Sequence, residues 1–331
     1  MAEEVTGILA GRLLVDGVDA WGRWGVYVVE QGWNDLIALP PLKEPEETDW
    51  AEEDGVEVDL SAPLLDAREV AIEFAFRDGY VNYLAFVQFL SDGVYHEFDC
   101  AWIGRSYTLR MVGSQSLDYV KLVGKGSITF ADDVPLDISD VSAAVETGRS
   151  DETGWQLDGV DLLSGWGVRV LAGSLAEVLE PSDLKERLLW NQSDEAGQVY
   201  DSDTDEEEDN GTAWDRKEVT LNCLMRADSQ AALWAQWDAL LAALVQSGER
   251  SLYVEELGKT FPCYYSECEV ERFYPAEDEQ AAWLEFGLTL VFTGAGAVNT
   301  DDVLLATEDD CYVITEVGEL LILIGTAIVE D

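Results

Sequence analysis

Basic residues are scarce in this chain. Lysine and arginine together number 19 against 68 aspartates and glutamates, a formal net charge of −49 at pH 7, and His96 is the one histidine. A grip on nucleic acid needs a basic face to neutralise phosphates, so this balance counts against it. Long apolar runs are missing too. The longest late run, 320–324, is far too short to span a bilayer. The start, Met1-Ala2-Glu3-Glu4, lacks a basic stretch followed by an apolar core, so neither a secretory signal nor a membrane partner is expected. The five cysteines (Cys100, Cys223, Cys263, Cys268, Cys311) are odd in number and scattered. They fit synthesis in a cytosolic compartment better than a disulfide framework.

Catalytic signatures are also lacking. There is no Walker loop, GxSxG elbow, HExxH or dinucleotide-binding glycine pattern. With one histidine, general-base chemistry would fall to carboxylates, which are so abundant that no pair stands out. No enzyme, no catalytic residue and no cofactor are expected.

What is present is material for folded cores. Of 331 residues, 47% are hydrophobic and 10% aromatic, which excludes the disordered acidic class. The length suits about two domains. Thirteen arginines accompany only six lysines. A carboxylate-rich, lysine-poor chain with ordinary apolar content resembles proteins of extreme halophiles, where salt screens self-repulsion. A halophilic host is the expectation.

The chain repeats itself. Residues 15–44 align with 157–186 at a constant offset of 142, with eleven identities over thirty positions. Asp16-Gly17-Val18-Asp19 recurs as Asp158-Gly159-Val160-Asp161, Trp24-Gly25-Val26 as Trp166-Gly167-Val168, and Leu42-Lys43-Glu44 as Leu184-Lys185-Glu186. At offset 149, Val70, Ile72, Phe74 and Phe76 alternate as Val219, Leu221, Cys223 and Met225 do, which marks a strand with one buried face. A helical pattern follows each: Tyr80, Tyr83, Leu84, Val87 and Leu90 before Gly93, and Leu233, Trp237, Leu240, Leu241 and Leu244 after Asp228-Ser229. Gly104-Arg105-Ser106-Tyr107 matches Gly258-Lys259-Thr260-Phe261, and 128–130 matches 290–292 in a closing strand. Trp24 and Trp166 are read as core residues of apolar strands.

The expected fold is therefore mainly β with one helix per repeat (α+β), two tandem domains related by internal duplication, plus a short C-terminal β extension. The boundaries are 1–135, a linker at 136–155, 156–297, and the extension 298–331, where Val303, Tyr312 and Leu320 open short strand patterns.

Metal and ligand candidates are weak. The acidic insertion 201–210 puts Asp201, Asp203 and Asp205 at the first three ligand positions of a calcium loop. It then offers Glu206 in place of the turn glycine and Thr212 in place of the bidentate glutamate, so only a loose cation loop is expected. His96 with Cys100, and Cys263 with Cys268, have zinc-like spacings but lie in different copies and on or beside strands, so core or edge packing is expected of them. The twelve tryptophans leave a carbohydrate-binding module as an alternative of another class.

Taken together, 15–28, Asp54-Gly55-Val56-Glu57-Val58-Asp59-Leu60, and Arg68–Phe76 with its helix resemble the distal tail and tail tube proteins of tailed viruses. The second copy keeps the first and third of these blocks. The resemblance spans roughly 10–132 and 155–295. It implies tail-tube-like β-sandwich domains and six units in a ring around the tail channel, here three two-unit chains forming a pseudo-hexamer or six chains forming a hexamer. It implies a virion structural protein, made in the host cytoplasm and placed in the tail. As a distal tail protein it would join the tube to hub or adhesion proteins; the alternative is the major tail tube protein, in stacked rings. Partners implied are copies of itself, the tail tube, the tape measure and the hub or adhesion proteins. Viral DNA would pass without specific binding through a channel poor in Lys and Arg, and open sheet edges would be buried between neighbours.

Overall fold

The computed structural model describes residues 9–50, 54–77, 79–133, 136, 140–185, 213–276, 281–294, 297–298, 302–304 and 322–324. The candidate cation loop Asp201, Asp203 and Asp205 lies outside the described residues, as do Cys311 and Tyr312.

The first half runs β1 (Leu14–Val15), β2 (Val18–Asp19), α1 (Ala20–Trp24), β3 (Val26–Val28), α2 (Asn34–Ile37) and a small hairpin, β4 (Glu46–Thr48) with β5 (Glu57–Asp59). The long strand β6 (Arg68–Phe76), α3 (Tyr80–Leu90), β7 (Tyr95–Cys100), β8 (Arg105–Val120) and β9 (Val123–Asp132) complete it. The second half runs β10 (Trp155–Leu157), β11 (Val160–Asp161), α4 (Leu162–Trp166), β12 (Val168–Val170) and α5 (Ser174–Leu179). Then come β13 (Lys217–Ala227), α6 (Gln230–Leu244), β14 (Arg250–Val254), β15 (Lys259–Tyr274) and β16 (Ala282–Phe292). In the extension, β17 (Ala297–Val298) pairs with β15, and β18 (Asp302–Leu304) pairs with β19 (Ile322–Ile324).

The two large sheets share one topology. The first has strand order β2-β1-β7-β8-β9-β6-β3 and the second β11-β10-β14-β15-β16-β13-β12, each element taking its counterpart's place. Every described strand pairing within them is antiparallel, giving a mainly β, α+β fold of curled sheets with few helices. The edge strands are two or three residues long, a length that offers a neighbour little ladder to join.

The repeated residues earn their identity locally. Asp16-Gly17 and Asp158-Gly159 are two-residue hairpin loops with φ of 51° and 75°, and 51° and 79°, the Asp-Gly pattern such loops prefer. The next aspartate, Asp19 or Asp161, caps a five-residue helix, and Gly25 or Gly167 ends it in the left-handed region. Trp24 and Trp166 are thus the last residues of α1 and α4, not strand residues as expected. The caps at both ends decide for helix over the apolar pattern. Both rings are buried in the core, as expected.

The alternation in β6 and β13 buries Val70, Ile72 and Phe74, and Val219, Leu221, Cys223 and Met225. Matching of the closing strand shifts by two residues from the expected one. Val70 faces Phe130 and Val219 faces Leu290, so Phe130 corresponds to Leu290 rather than Phe292. A slip of two keeps every side chain on its face, so periodicity alone could not detect it. Both β8 and β15 have sixteen residues and a bulge after the matched residues Met111 and Tyr265.

One continuous core takes side chains from both halves, from Leu13 to Phe292. Helix α6 is buried along most of its length, including Trp234 and Trp237, because it is covered by its own sheet and by the first half.

Candidate interaction surface

Residues 31–50 and 54–61 of the first half reach from their own sheet, where α2 is bonded to β6, onto the second. Gln31 exchanges two hydrogen bonds with the Phe273 backbone, donating to its carbonyl at 3.2 Å and accepting from its amide at 2.9 Å. Asn34 donates to the Glu271 carbonyl at 2.7 Å. Leu42 donates its amide to the Ser266 carbonyl at 2.8 Å, and the Tyr265 hydroxyl donates to the Pro40 carbonyl at 3.0 Å. In return α6 reaches back. Trp237 Nε1 donates to the Ile37 carbonyl at 3.1 Å, and Trp234 Nε1 to the Ile103 carbonyl at 2.7 Å. Arg105 pairs with Asp238 at 2.5 Å while its guanidinium stacks 4.3 Å from the Trp234 ring. That guanidinium is both ion-paired and laid on an aromatic face, two favourable terms at one half-dry site.

The β4–β5 hairpin extends this hold. Gly55 donates to the Trp214 carbonyl at 2.8 Å and Val56 to the Thr293 carbonyl at 2.9 Å, while Asp54 accepts from the Trp214 amide at 2.8 Å. Glu47 accepts from the Tyr264 hydroxyl at 2.7 Å and pairs with Arg216. Burial and the Glu47 carboxylate push the Tyr264 phenol well up, so it stays a donor at any ordinary pH. Lys185 inserts its ammonium under the hairpin, against Asp49 at 2.6 Å and the carbonyls of Trp50 and Gly55. Leu60, Tyr264 and Val291 form a small apolar cluster beneath.

The Leu-Lys positions of the repeat take the same backbone place in both copies. Leu42 bridges Leu65 and Leu184 bridges Trp214, equivalent positions in the two copies. The hairpin block 54–60 would have its counterpart within 186–212 of the second copy, which lies outside the described residues.

The metal and sugar candidates take other places. His96 is buried on β7, with Nδ1 2.7 Å from Asp16 and Nε2 3.2 Å from Asp92, so both ring nitrogens are already engaged. Cys100 lies on β7, and Cys263 and Cys268 on β15 of the other sheet; burial pushes the latter two thiols up to about 12. The two pairs lie in different sheets, and all four side chains are buried as packing residues. No group of three or more metal-ligating side chains occurs among the described residues. Trp24 is sealed in the core and cannot stack on a sugar. Instead, a cleft of about 800 Å³ at the edge of the contact between halves is lined by Tyr27, Trp102, Tyr274 and Trp283, with Arg12 and Glu285. Sequence reasoning missed this cleft, because its rings come from three separate places, Tyr27 on β3, Trp102 in a turn, and the facing pair Tyr274 and Trp283. Among the described residues, no helix is long and apolar enough to cross a membrane.

No family model and no curated protein matches the chain. One similar solved structure is the crystal structure of the SPP1 Dit protein, described as a paradigm of the hub adsorption apparatus in phages that infect Gram-positive bacteria. It aligns over 85% of this chain and 98% of that chain, with 10% identity and a TM-score of 0.28. At that score the two chains share too little geometry for one to speak for the other.

Proposed function

We propose that this chain is a structural rather than catalytic protein of a tailed-virus tail, a ring builder around the channel at the distal end. In this reading it joins the tube to hub or adhesion proteins. The observation that carries the reading is the repetition of one sheet topology within a chain whose first copy reaches over and holds the second. A unit that grips the next in one direction is the element from which rings are made. The tail-tube resemblance of 10–132 and 155–295 supports the viral setting. Tandem units would let three chains make six positions.

The charge belongs to the same proposal. At −49, copies of this chain repel one another unless salt screens them, so assembly is proposed to need the molar salt of a halophilic host. Electron microscopy of the purified protein in molar and in dilute salt tests both points. Rings of three or six chains in molar salt, dispersing on dilution of the salt, are the expected result. Long stacked tubes would favour the tail tube role, and monomers in both conditions would end the ring reading.

The aromatic cleft favours a second reading, a carbohydrate-binding surface. A glycan array in molar salt, with Trp283→Ala as the control, tests it: binding that the variant abolishes supports it, and no binding removes it.

A further inference from the structure

The contact between the two halves has a donor side and an acceptor side, and the duplication has copied both. The donor side in the first half includes Ile37 and Leu42, which lie against α6 and Tyr264. Their counterparts at offset 142 are Leu179 and Leu184. Ile37 is 2% exposed, whereas Leu179 is 58% and Leu184 51% exposed. The acceptor side in the second half includes Val270 and Phe273 on β15, buried under Gln31, α2 and Trp234. Register fixes their counterparts. Val270 faces Phe286 as Leu117 faces Gly126, and Phe273 faces Leu284 as Tyr119 faces Gly124. Phe273 is 5% exposed, and Tyr119 is 52%. Val112, the counterpart of Ser266, is exposed as well. Each side of the internal contact thus recurs once with its apolar residues kept and, among the described residues, left exposed, Tyr119 stacking on Tyr80 of its own half.

We infer that these two surfaces bind each other between chains: the 171–185 segment of one copy docks on the β8–β9 hairpin of a second copy, repeating the internal contact. Charge points to the same pair. Of the basic residues between 105 and 132, Arg105 is held by Asp238 and Arg110 by Asp133, which leaves Lys121 and Lys125 beside the single acidic Asp118 at the hairpin tip. Lys121 and Lys125 are exposed. In a chain of net charge −49 this hairpin is a surface that attracts carboxylates. The donor segment presents Glu177, Glu180 and Asp183, and its one base, Lys185, is already held by Asp49. Such a contact is head to tail, so it closes into a ring or runs on as a filament.

The copied contact differs in one respect. Gln31 and Asn34 have become Gly173 and Ala176, so the side-chain hydrogen bonds to β15 have no equivalent. The contact between chains is therefore the weaker of the two. The inference rests on the ring reading for its setting, but it can fail alone.

Its test uses cysteine pairs in the full chain, with Cys311→Ser as background, in molar salt under mild oxidation. Internally, the Leu42 amide meets the Ser266 carbonyl at 2.8 Å, so Leu184 and Val112 should become neighbours across chains. A mixture of Leu184→Cys chains with Val112→Cys chains is expected to cross-link, and neither variant to cross-link alone. Both sites are exposed, and circular dichroism checks that the fold is kept. The pair Leu117→Ser with Tyr119→Ser should weaken self-association about tenfold or more, read by light scattering. Cross-linking of either variant with itself would mean a two-fold contact and overturn the inference. Assembly of the unmodified chain without cross-linking of the mixture would overturn it and leave the ring reading standing. A chain that stays monomeric at all concentrations overturns both.

Discussion

Asp19 and Asp161 occupy the same place in the repeat but carry different loads. Asp19 accepts one hydrogen bond, from the Trp21 amide at 3.2 Å. Asp161 is buried and accepts four, from the amides of Leu163, Ser164 and Thr153 and the Thr153 hydroxyl, at 2.7 to 3.2 Å. A lost helix cap costs about 1 kcal/mol, and donors stranded in the interior add about 1–3 kcal/mol. Asp19→Ala should therefore cost about 1 kcal/mol and Asp161→Ala about 2–4 kcal/mol in urea unfolding. Asp16 adds a dependence on pH. Partial burial works against its charge, but the hydrogen bonds from His96 and from the Glu97 amide outweigh it, so its carboxyl lies below the ordinary 3.8. A carboxyl depressed in the fold contributes stability above its unfolded value, lost as pH falls through the folded one. Asp16→Asn should flatten the fall of the urea midpoint below about pH 4, and an unchanged acid limb would refute the assignment.

At the scale of elements, the repeat was largely legible in the sequence. The Asp-Gly hairpin loops, the alternation of β6 and β13 and the two long helices follow from local chemistry that each copy states independently. The short helices α1 and α4 were hidden, because a five-residue stretch between caps is too brief to show a helical period. The docking of 31–61 was hidden for another reason. Its partners, Gln31 with Phe273, Trp237 with Ile37 and Glu47 with Tyr264, stand 200 to 242 residues apart, so no local pattern announces it. One position does carry a trace. Gly55 has φ 74°, and a methyl group there would sit 1.6 Å from the Thr293 carbonyl oxygen. Gly55→Ala should lift the β4–β5 hairpin, cost about 2–3 kcal/mol, and open residues 46–59 to limited proteolysis. Cleavage at the unaltered rate would show that the hairpin is held elsewhere.

For the molecule as a whole, the shared core matters more than the boundary between repeats. Duplicated units joined by a linker commonly unfold one after the other, but here α6 is covered by both halves. A single calorimetric transition is expected, with equal van't Hoff and calorimetric enthalpies. Trp237, fully buried and bonded to Ile37, is the side chain on which this coupling leans most. Trp237→Ala should cost about 3–5 kcal/mol, and splitting of the transition into two would identify it as the coupling residue. The candidate surface was only half legible from the sequence. The apolar residues at 117, 119, 179 and 184 are visible there, but only the fold shows that their counterparts are covered and they are not.

The polar anchors Gln31 and Asn34 occur on one side of the duplication only, and this has a mechanical consequence. A closed circle made from such chains has two kinds of joint in strict alternation, one sealed within a polypeptide and one held by apolar contact and screened charge. Pulled, or washed free of salt, it would break at every second joint and shed its modules in pairs.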